Sequence, residues 1–79
     1  MLPFGIYLFC KIMNKFSERL KELRESKKLT QNELSKEINI SAACINRWEK
    51  NLRVPSIDSI VILCQFFGCS ADYLIGLED

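Results

Sequence analysis

The chain contains no histidine, and it has only three glycines and two prolines among its 79 residues. Without histidine it can form neither a Ser-His-Asp nor a Cys-His catalytic centre, and it has no imidazole ligand for a metal. The glycines form neither a Gly-x-Gly-x-x-Gly sequence nor a Gly-Lys-Ser/Thr loop, the motifs that hold nucleotide phosphates. The longest uncharged apolar stretch, residues 1–10, is far shorter than the roughly 20 residues that cross a bilayer. We therefore expect a protein that is not an enzyme and has no cofactor, small-molecule ligand or membrane span.

The four cysteines are Cys10, Cys44, Cys64 and Cys69. No two of them have the Cys-x-x-Cys spacing of a zinc knuckle or a redox dithiol. Cys44 and Cys64 fall at apolar positions of helical patterns, where a thiol behaves as a small hydrophobic side chain. The spacing predicts a reduced chain without a metal site, and we expect a cytoplasmic location.

Residues 1–13 differ from the rest of the chain, because they are almost entirely apolar and carry one charged side chain, Lys11. They lack the charged beginning and the small-residue cleavage site of a secretory signal. Met13 opens an amphipathic sequence of its own, so either translation starts there or residues 1–12 form an apolar arm that contacts a surface. We therefore divide the chain into an N-terminal extension, 1–13, and one domain, 14–77.

Charge is distributed unevenly along the chain. Residues 14–53 carry ten basic and six acidic side chains, whereas residues 54–79 carry four acidic side chains and no basic one. A chain polarised in this way can present a positive face to a polyanion. Solvated helix faces would give the same pattern, so the charge alone does not decide between the two.

Five helices and no strand are expected after residue 13, because no segment alternates apolar and polar residues with period two. The first helix is expected to run from a cap at Asn14 to about Ser26. Thr30 and Glu33 have the spacing of a capping box. The other four helices start after hydroxyl-bearing caps and stop at residues that tolerate a left-handed turn. Their expected caps and stops are Thr30 and Asn39, Ser41 and Asn51, Ser56 and Gly68, and Ser70 and Gly76.

The fourth helix is the most apolar. Its expected core-facing residues are Ile57, Ile60, Val61, Cys64 and Phe67. Ile62 and Phe66 of this helix lie off that stripe, and Leu74, Ile75 and Leu77 add apolar area at the far end of the chain. Their exposure in a monomer would be unfavourable, so we expect a partner subunit or the apolar N-terminal residues to cover them.

The second and third helices are separated by a very short link, which predicts a helix-turn-helix of about 20 residues. On a helical wheel, Cys44, Ile45 and Trp48 share one side of the third helix. The residues of the opposite side are Ala42, Ala43, Asn46, Arg47 and Lys50. Such a side suits a DNA major groove, because small residues permit close approach, Asn can bridge adenine and Arg can bind guanine O6 and N7. A polar solvated helix face would show a similar pattern.

Three stretches carry a specific resemblance: LTQNEL at 29–34, IS at 40–41 and WEKNLRVPS at 48–56. On these residues, in order and with the expected gaps, the chain between Phe16 and Leu77 resembles the Cro/repressor-type (XRE-like) helix-turn-helix family. The resemblance implies a compact five-helix, lambda-repressor-like domain that binds double-stranded DNA, usually as a homodimer.

The chain departs from the family pattern in the turn and in the third helix. Asn39 stands where Gly is usual, although Asn tolerates the left-handed conformation, and Ser35 replaces a usual Ala. Ala42 and Ala43 occupy positions where long polar base-reading residues are common. Recognition of DNA bases by hydrogen bonds is therefore expected to depend mainly on Asn46 and Arg47.

The residues expected to contact DNA are Gln31, Ser41, Ala42, Ala43, Asn46, Arg47, Lys50 and Arg53. Arg47 is the strongest candidate for reading a base. Gln31 and the start of the second helix should meet a phosphate, as the resemblance also implies. The family pattern further pairs Arg24 with Glu49 in an ion pair that orients the third helix. The polar residues Ser41, Lys50 and Arg53 would flank the groove, although Ser41 would serve equally as a plain N-cap.

The expected function is sequence-specific binding of double-stranded DNA by a small transcriptional repressor. A homodimer would set two recognition helices about 34 Å apart in successive major grooves. One alternative is a protein-interaction module on the same fold, such as an antitoxin that uses its fourth helix. Another is a membrane-tethered protein held by residues 1–12. Salt distinguishes them from the main hypothesis, because DNA binding weakens steeply as salt rises.

Overall fold

The computed structural model describes the backbone of residues 4–77 and the side chains of residues 15–77. Between residues 4 and 77 the chain forms five α-helices and no strand, which confirms the predicted all-α class. The helices are α1 (Phe4–Ser26), α2 (Gln31–Ile38), α3 (Ala42–Glu49), α4 (Ile57–Phe67) and α5 (Ala71–Ile75). No helix in this described part is both long and apolar enough to cross a bilayer.

The first helix is longer than expected. It begins at Phe4, so Asn14 lies inside α1 and the prediction that Asn14 caps it is wrong. The sequence between Phe4 and Ser26 contains no proline, and a single Asn in a helix interior costs only a fraction of a kcal/mol, about 0.7 at most. The backbone of the apolar extension therefore continues into the domain as one helix.

The other helices begin and end where the sequence indicates. Thr30 and Glu33 form the capping box: the Thr30 hydroxyl accepts from the Glu33 N–H at 3.1 Å, and Glu33 Oε1 accepts from the Thr30 N–H at 2.9 Å. Ser41, Ser56 and Ser70 cap α3, α4 and α5 through their side-chain oxygens. The residues in the left-handed conformation at or just after helix ends are Lys28, Asn39, Asn51, Gly68 and Gly76.

The core lies where α1, α2 and α3 meet the α4–α5 hairpin. Its buried apolar side chains are Phe16, Leu20, Leu34, Ile38, Ile45, Trp48, Leu63 and Leu74. Phe16 of α1 packs edge-on against Trp48 of α3, with ring centroids 6.0 Å apart. The buried Ser17 hydroxyl donates to the Trp48 carbonyl oxygen at 2.7 Å. These contacts fix α3 against α1.

The predicted core face of α4 is partly wrong. Ile57 and Val61 are 82% and 47% exposed, whereas Leu63, which the predicted stripe omits, is fully buried. Ile60, Cys64 and Phe67 pack against the core as predicted. Eight of the eleven α4 residues are apolar, so the sequence has no continuous polar face from which to set the orientation of the helix.

The apolar surface expected outside that stripe is also different. Leu74 is buried, and Phe66 is half-buried, with its ring 5.2 Å from the Lys27 ammonium and in edge contact with Phe67. Leu77 and, marginally, Ile62 are exposed. The apolar side chains that face solvent therefore lie mainly in the α3–α4 loop and on the outer side of α4.

Candidate nucleic-acid interface

Helices α2 and α3 are joined by a tight turn. Asn39 adopts φ 57 and ψ 42, the left-handed conformation, and its N–H donates to the Ser35 carbonyl oxygen. The N–H of Ile40 reaches the same oxygen at 3.3 Å. Asn thus fills the position where glycine is usual, at modest cost.

One side of this unit is committed to the core. Leu34 and Ile38 of α2 and Ile45 and Trp48 of α3 are all buried, and Cys44 is half-buried against them. The predicted core side of α3 is therefore confirmed. Because the two helices are held from this side, the opposite side of α3 must face outward.

The outward side of α3 is small and basic. Ala43, Arg47 and Lys50 are exposed, while Ala42 and Asn46 are half-buried. The exposed three follow the i, i+4, i+7 spacing of a single helix face. Arg47 is the middle one of these three exposed residues.

Arg24 and Glu49, which the family resemblance pairs, form a bidentate ion pair. Arg24 Nε donates to Glu49 Oε2 at 2.7 Å, and Arg24 Nη2 donates to Glu49 Oε1 at 2.9 Å. The side chains are only 12% and 5% exposed. The Arg24 pKa is raised, first by the hydrogen bonding to Glu49, with burial opposing the increase. A third bond, from Arg24 Nη1 to the Leu29 carbonyl oxygen at 2.8 Å, ties the pair to the end of the α1–α2 connection, next to the α2 cap.

The ion pair continues into a polar network that the sequence does not predict. Gln31 Nε2 donates to Glu49 Oε1 at 3.1 Å, and Asn46 Nδ2 donates to Gln31 Oε1 at 3.2 Å. An ionised carboxylate only accepts, so Gln31 must turn its amide nitrogen toward Glu49 and its oxygen toward Asn46. Asn46 is thereby oriented with Oδ1 and one amide hydrogen still available.

The network joins two residues that were expected to act separately. The sequence predicts that Gln31 meets a phosphate and that Asn46 reads a base, whereas the structure links the two side chains by a hydrogen bond. The one sequence signal for this arrangement is the three-residue spacing of Asn46 and Glu49, which places both on one side of α3. Nothing local to Gln31 in the sequence indicates its part in the network.

The other expected contact residues lie around the same face. The Ser41 hydroxyl accepts from the Cys44 N–H at 3.1 Å, so it acts as the N-cap of α3 while its own hydrogen stays available as a donor. Lys50 follows the last residue of α3, and Arg53 lies in the α3–α4 loop. Both are exposed.

A family model described as helix-turn-helix matches residues 20–74. The chain belongs to this helix-turn-helix family, and the predicted resemblance to its XRE-like branch is confirmed.

Curated relatives agree with that assignment. The chain is 34% identical over 64 residues to the uncharacterized HTH-type transcriptional regulator YobD of Bacillus subtilis (strain 168), a match that covers 81% of this chain and 57% of YobD. It is 33% identical over 64 residues to the HTH-type transcriptional activator BcrR of Enterococcus faecalis, covering 81% of this chain and 31% of BcrR. It is 31% identical over 58 residues to Repressor protein C2 of Salmonella phage P22, covering 73% of this chain and 27% of that protein. The matched regions thus span between about a quarter and somewhat over half of these relatives.

Proposed function

We propose that this protein is a transcriptional regulator that binds double-stranded DNA sequence-specifically, with α3 in the major groove. The observation that carries the proposal is the outward face of α3, on which Ala43, Arg47 and Lys50 are exposed while Ile45 and Trp48 anchor the helix from behind. An exposed helix with small residues near its N-terminus and basic residues toward its end fits the depth and charge of the groove.

The side chains of this face have distinct roles. Arg47 reads a guanine through O6 and N7, and Ala42 and Ala43 allow close approach and contact thymine methyl groups. Asn46 reads a base with the oxygen and the amide hydrogen that its bond to Gln31 leaves available. Gln31 acts mainly by orienting Asn46.

Contacts to the DNA backbone flank these base contacts. The first backbone N–H groups of α2 have no partner within the helix, so they are suited to a phosphate. Lys50, Arg53 and the Ser41 hydroxyl add contacts on the other side of the groove. Such contacts hold the domain in register but carry no sequence information themselves.

The regulator works as a homodimer. Five apolar side chains in the α3–α4 loop and α4 are exposed: Leu52, Val54, Ile57, Val61 and, marginally, Ile62. Burying this apolar surface against a second copy is favourable. Two α3 helices would then enter successive major grooves about 34 Å apart. Bound over a promoter, the dimer would exclude polymerase and so repress transcription.

Selection of bound duplexes from a random pool tests the proposal. We expect a near-palindromic site whose half-sites are one helical turn apart. Affinity should fall steeply with salt, and Lys50→Ala should flatten that dependence while weakening all sequences alike. Lys21→Ala, which removes the same charge from an exposed position on α1, is the matched control and should leave the slope unchanged. Recovery of no enriched sequence would contradict the proposal.

A protein-interaction module is the second candidate, and the exposed apolar surface is the observation that favours it. If a different protein covers that surface, the purified chain should stay monomeric and bind DNA weakly. Its affinity for the protein partner should then be insensitive to salt and to added duplex. A salt-sensitive dimer on DNA would reject this candidate.

A further inference from the structure

Cys64 and Cys69 lie across the C-terminal end of α4. The N–H of Cys69 donates to the Cys64 carbonyl oxygen at 3.2 Å, and the N–H of Gly68 donates to the same oxygen at 2.8 Å. Gly68 reverses the backbone with φ 69 and ψ 35. In helix ends of this kind the side chains on either side of the reversal commonly contact each other. The fold thus brings together two cysteines whose five-residue separation matches no common dithiol motif.

The two side chains are suitable for reaction with each other. Both are free thiols, half-buried and packed against the core. Burial raises the pKa of the Cys64 thiol, and the adjacent Cys69 raises it further. Cys64 therefore keeps its proton more firmly than an ordinary free thiol does.

We propose that Cys64 and Cys69 form a modification site at which hydrogen peroxide closes a reversible intramolecular disulfide. The Cys69 thiolate attacks peroxide: an S–O bond forms, the O–O bond breaks, and the departing hydroxide takes up a proton to become water. The Cys64 sulfur then attacks the Cys69 sulfur, an S–S bond forms, the S–O bond breaks, and a second water leaves with the Cys64 proton. The two sulfurs lose two electrons, which peroxide gains.

Closure would tie the last turn of α4 to the residue before the α5 cap. Cys69 immediately precedes Ser70, whose hydroxyl accepts from the Tyr73 N–H at 3.0 Å. The disulfide lies outside the α3 face proposed to bind DNA. Its formation can therefore be measured without DNA, and it stands or falls independently of the proposed function.

Peptide mapping of the full chain tests the proposal directly. Reduced protein is treated with hydrogen peroxide, quenched, denatured, alkylated with iodoacetamide and digested with trypsin. Residues 54–79 contain no Lys or Arg, so Cys64 and Cys69 are released on one peptide, whereas Cys44 is released on 37–47. We expect the 54–79 peptide to carry no alkyl group and to have two hydrogen atoms fewer than the same peptide with both thiols reduced. Dithiothreitol treatment before alkylation should restore both alkyl groups.

Cys44 is the matched internal control, since it is also half-buried and lies in a region where no described thiol contact is present. It should remain alkylated under conditions that close the Cys64–Cys69 bond. In Cys69→Ser, Cys64 should also remain alkylated. Oxidation of Cys44 together with the pair, retention of both alkyl groups on 54–79, or cross-linking between peptides of different chains would overturn the proposal. Because the mapping uses the wild-type chain, its result does not depend on whether a variant folds.

Discussion

The α2–α3 unit and the α4–α5 hairpin pack into the same core, yet they present opposite kinds of surface. The α2–α3 unit ends in directional polar bonds that run from Arg24 through Glu49 and Gln31 to Asn46. The outer side of α4 carries apolar residues such as Ile57 and Val61, which have no directional partner. The polar groups of the α2–α3 unit are oriented for hydrogen bonds of defined geometry. The outer side of α4 is stabilised instead when its apolar surface is removed from water.

Removal of the ion pair between Arg24 and Glu49 should have the largest effect on the free energy of unfolding. Arg24→Ala leaves the Glu49 carboxylate mostly buried without its cation, so it should lower the free energy of unfolding by about 3–5 kcal/mol. Glu25→Ala, at the exposed neighbouring position, should change it by about 0.5 kcal/mol or less. Urea denaturation measures both. Equal, small effects would mean that polar bonds do not anchor α3.

The orientation of α4 is tested next. Leu63→Ala removes a fully buried side chain and should cost about 2–5 kcal/mol of unfolding free energy. Ile57→Ala, on the same helix but 82% exposed, should cost about 0.5 kcal/mol or less in the monomer. The two variants are compared by thermal or urea unfolding at low protein concentration. A larger loss for Ile57→Ala would favour the sequence-based orientation over the observed one.

The attachment of the hairpin to α1 depends on a close approach at Gly76. This residue has φ 89, and a Cβ there would overlap the Cβ and Cγ of Lys15. Gly76→Ala should therefore destabilise the domain by about 1–3 kcal/mol. Gly68→Ala is the informative control, because Gly68 also has positive φ but has nothing within 4 Å of an added Cβ. Thermal unfolding should show a larger loss at position 76 than at position 68; equal losses would show that backbone strain alone accounts for both.

The smallest expected effect is a pH dependence of the free energy of unfolding that arises from Glu33 at the start of α2. The pKa of Glu33 is lowered, first by the hydrogen bond from the Thr30 N–H. A lowered folded-state pKa means that ionised Glu33 adds stability above its ordinary pKa of 4.5, and that this stability disappears as pH falls through the lower, folded-state value.

Glu33→Gln isolates that contribution, because its amide oxygen can still accept from the Thr30 N–H. Unfolding curves at several pH values should show the wild-type chain more stable than the variant at pH 7, with the two converging in acid. A difference that stays constant across this range would contradict the assignment.

The sequence predicts the structure correctly where neighbouring residues alone determine the conformation or orientation of a segment. The capping box of Thr30 and Glu33 and the left-handed turn at Asn39 follow from neighbouring residues alone. The core side of α3 follows as well, because polar residues on its other side set the orientation of the helix. The pairing of Arg24 with Glu49 is implied only by the family resemblance, because the two residues are 25 positions apart.

The errors occur where local sequence permits more than one arrangement. A helix as apolar as α4 takes its orientation from contacts with α5 and α2, which cannot be read from its own residues. Asn14 is a possible cap in isolation, but the uninterrupted helix before it removes the need for one. The contact between Cys64 and Cys69 depends on a reversal at Gly68 that spacing rules do not consider.

Whether α3 reads DNA through Arg47 is tested by a competition binding assay with Arg47→Ala and a duplex selected by the wild-type protein. We expect the variant to fold normally, to lose about 1–3 kcal/mol of binding free energy to that duplex, and no longer to discriminate against a substitution at the guanine that Arg47 reads. Unchanged sequence preference in the folded variant would contradict the role of Arg47 as the principal base-reading residue of α3.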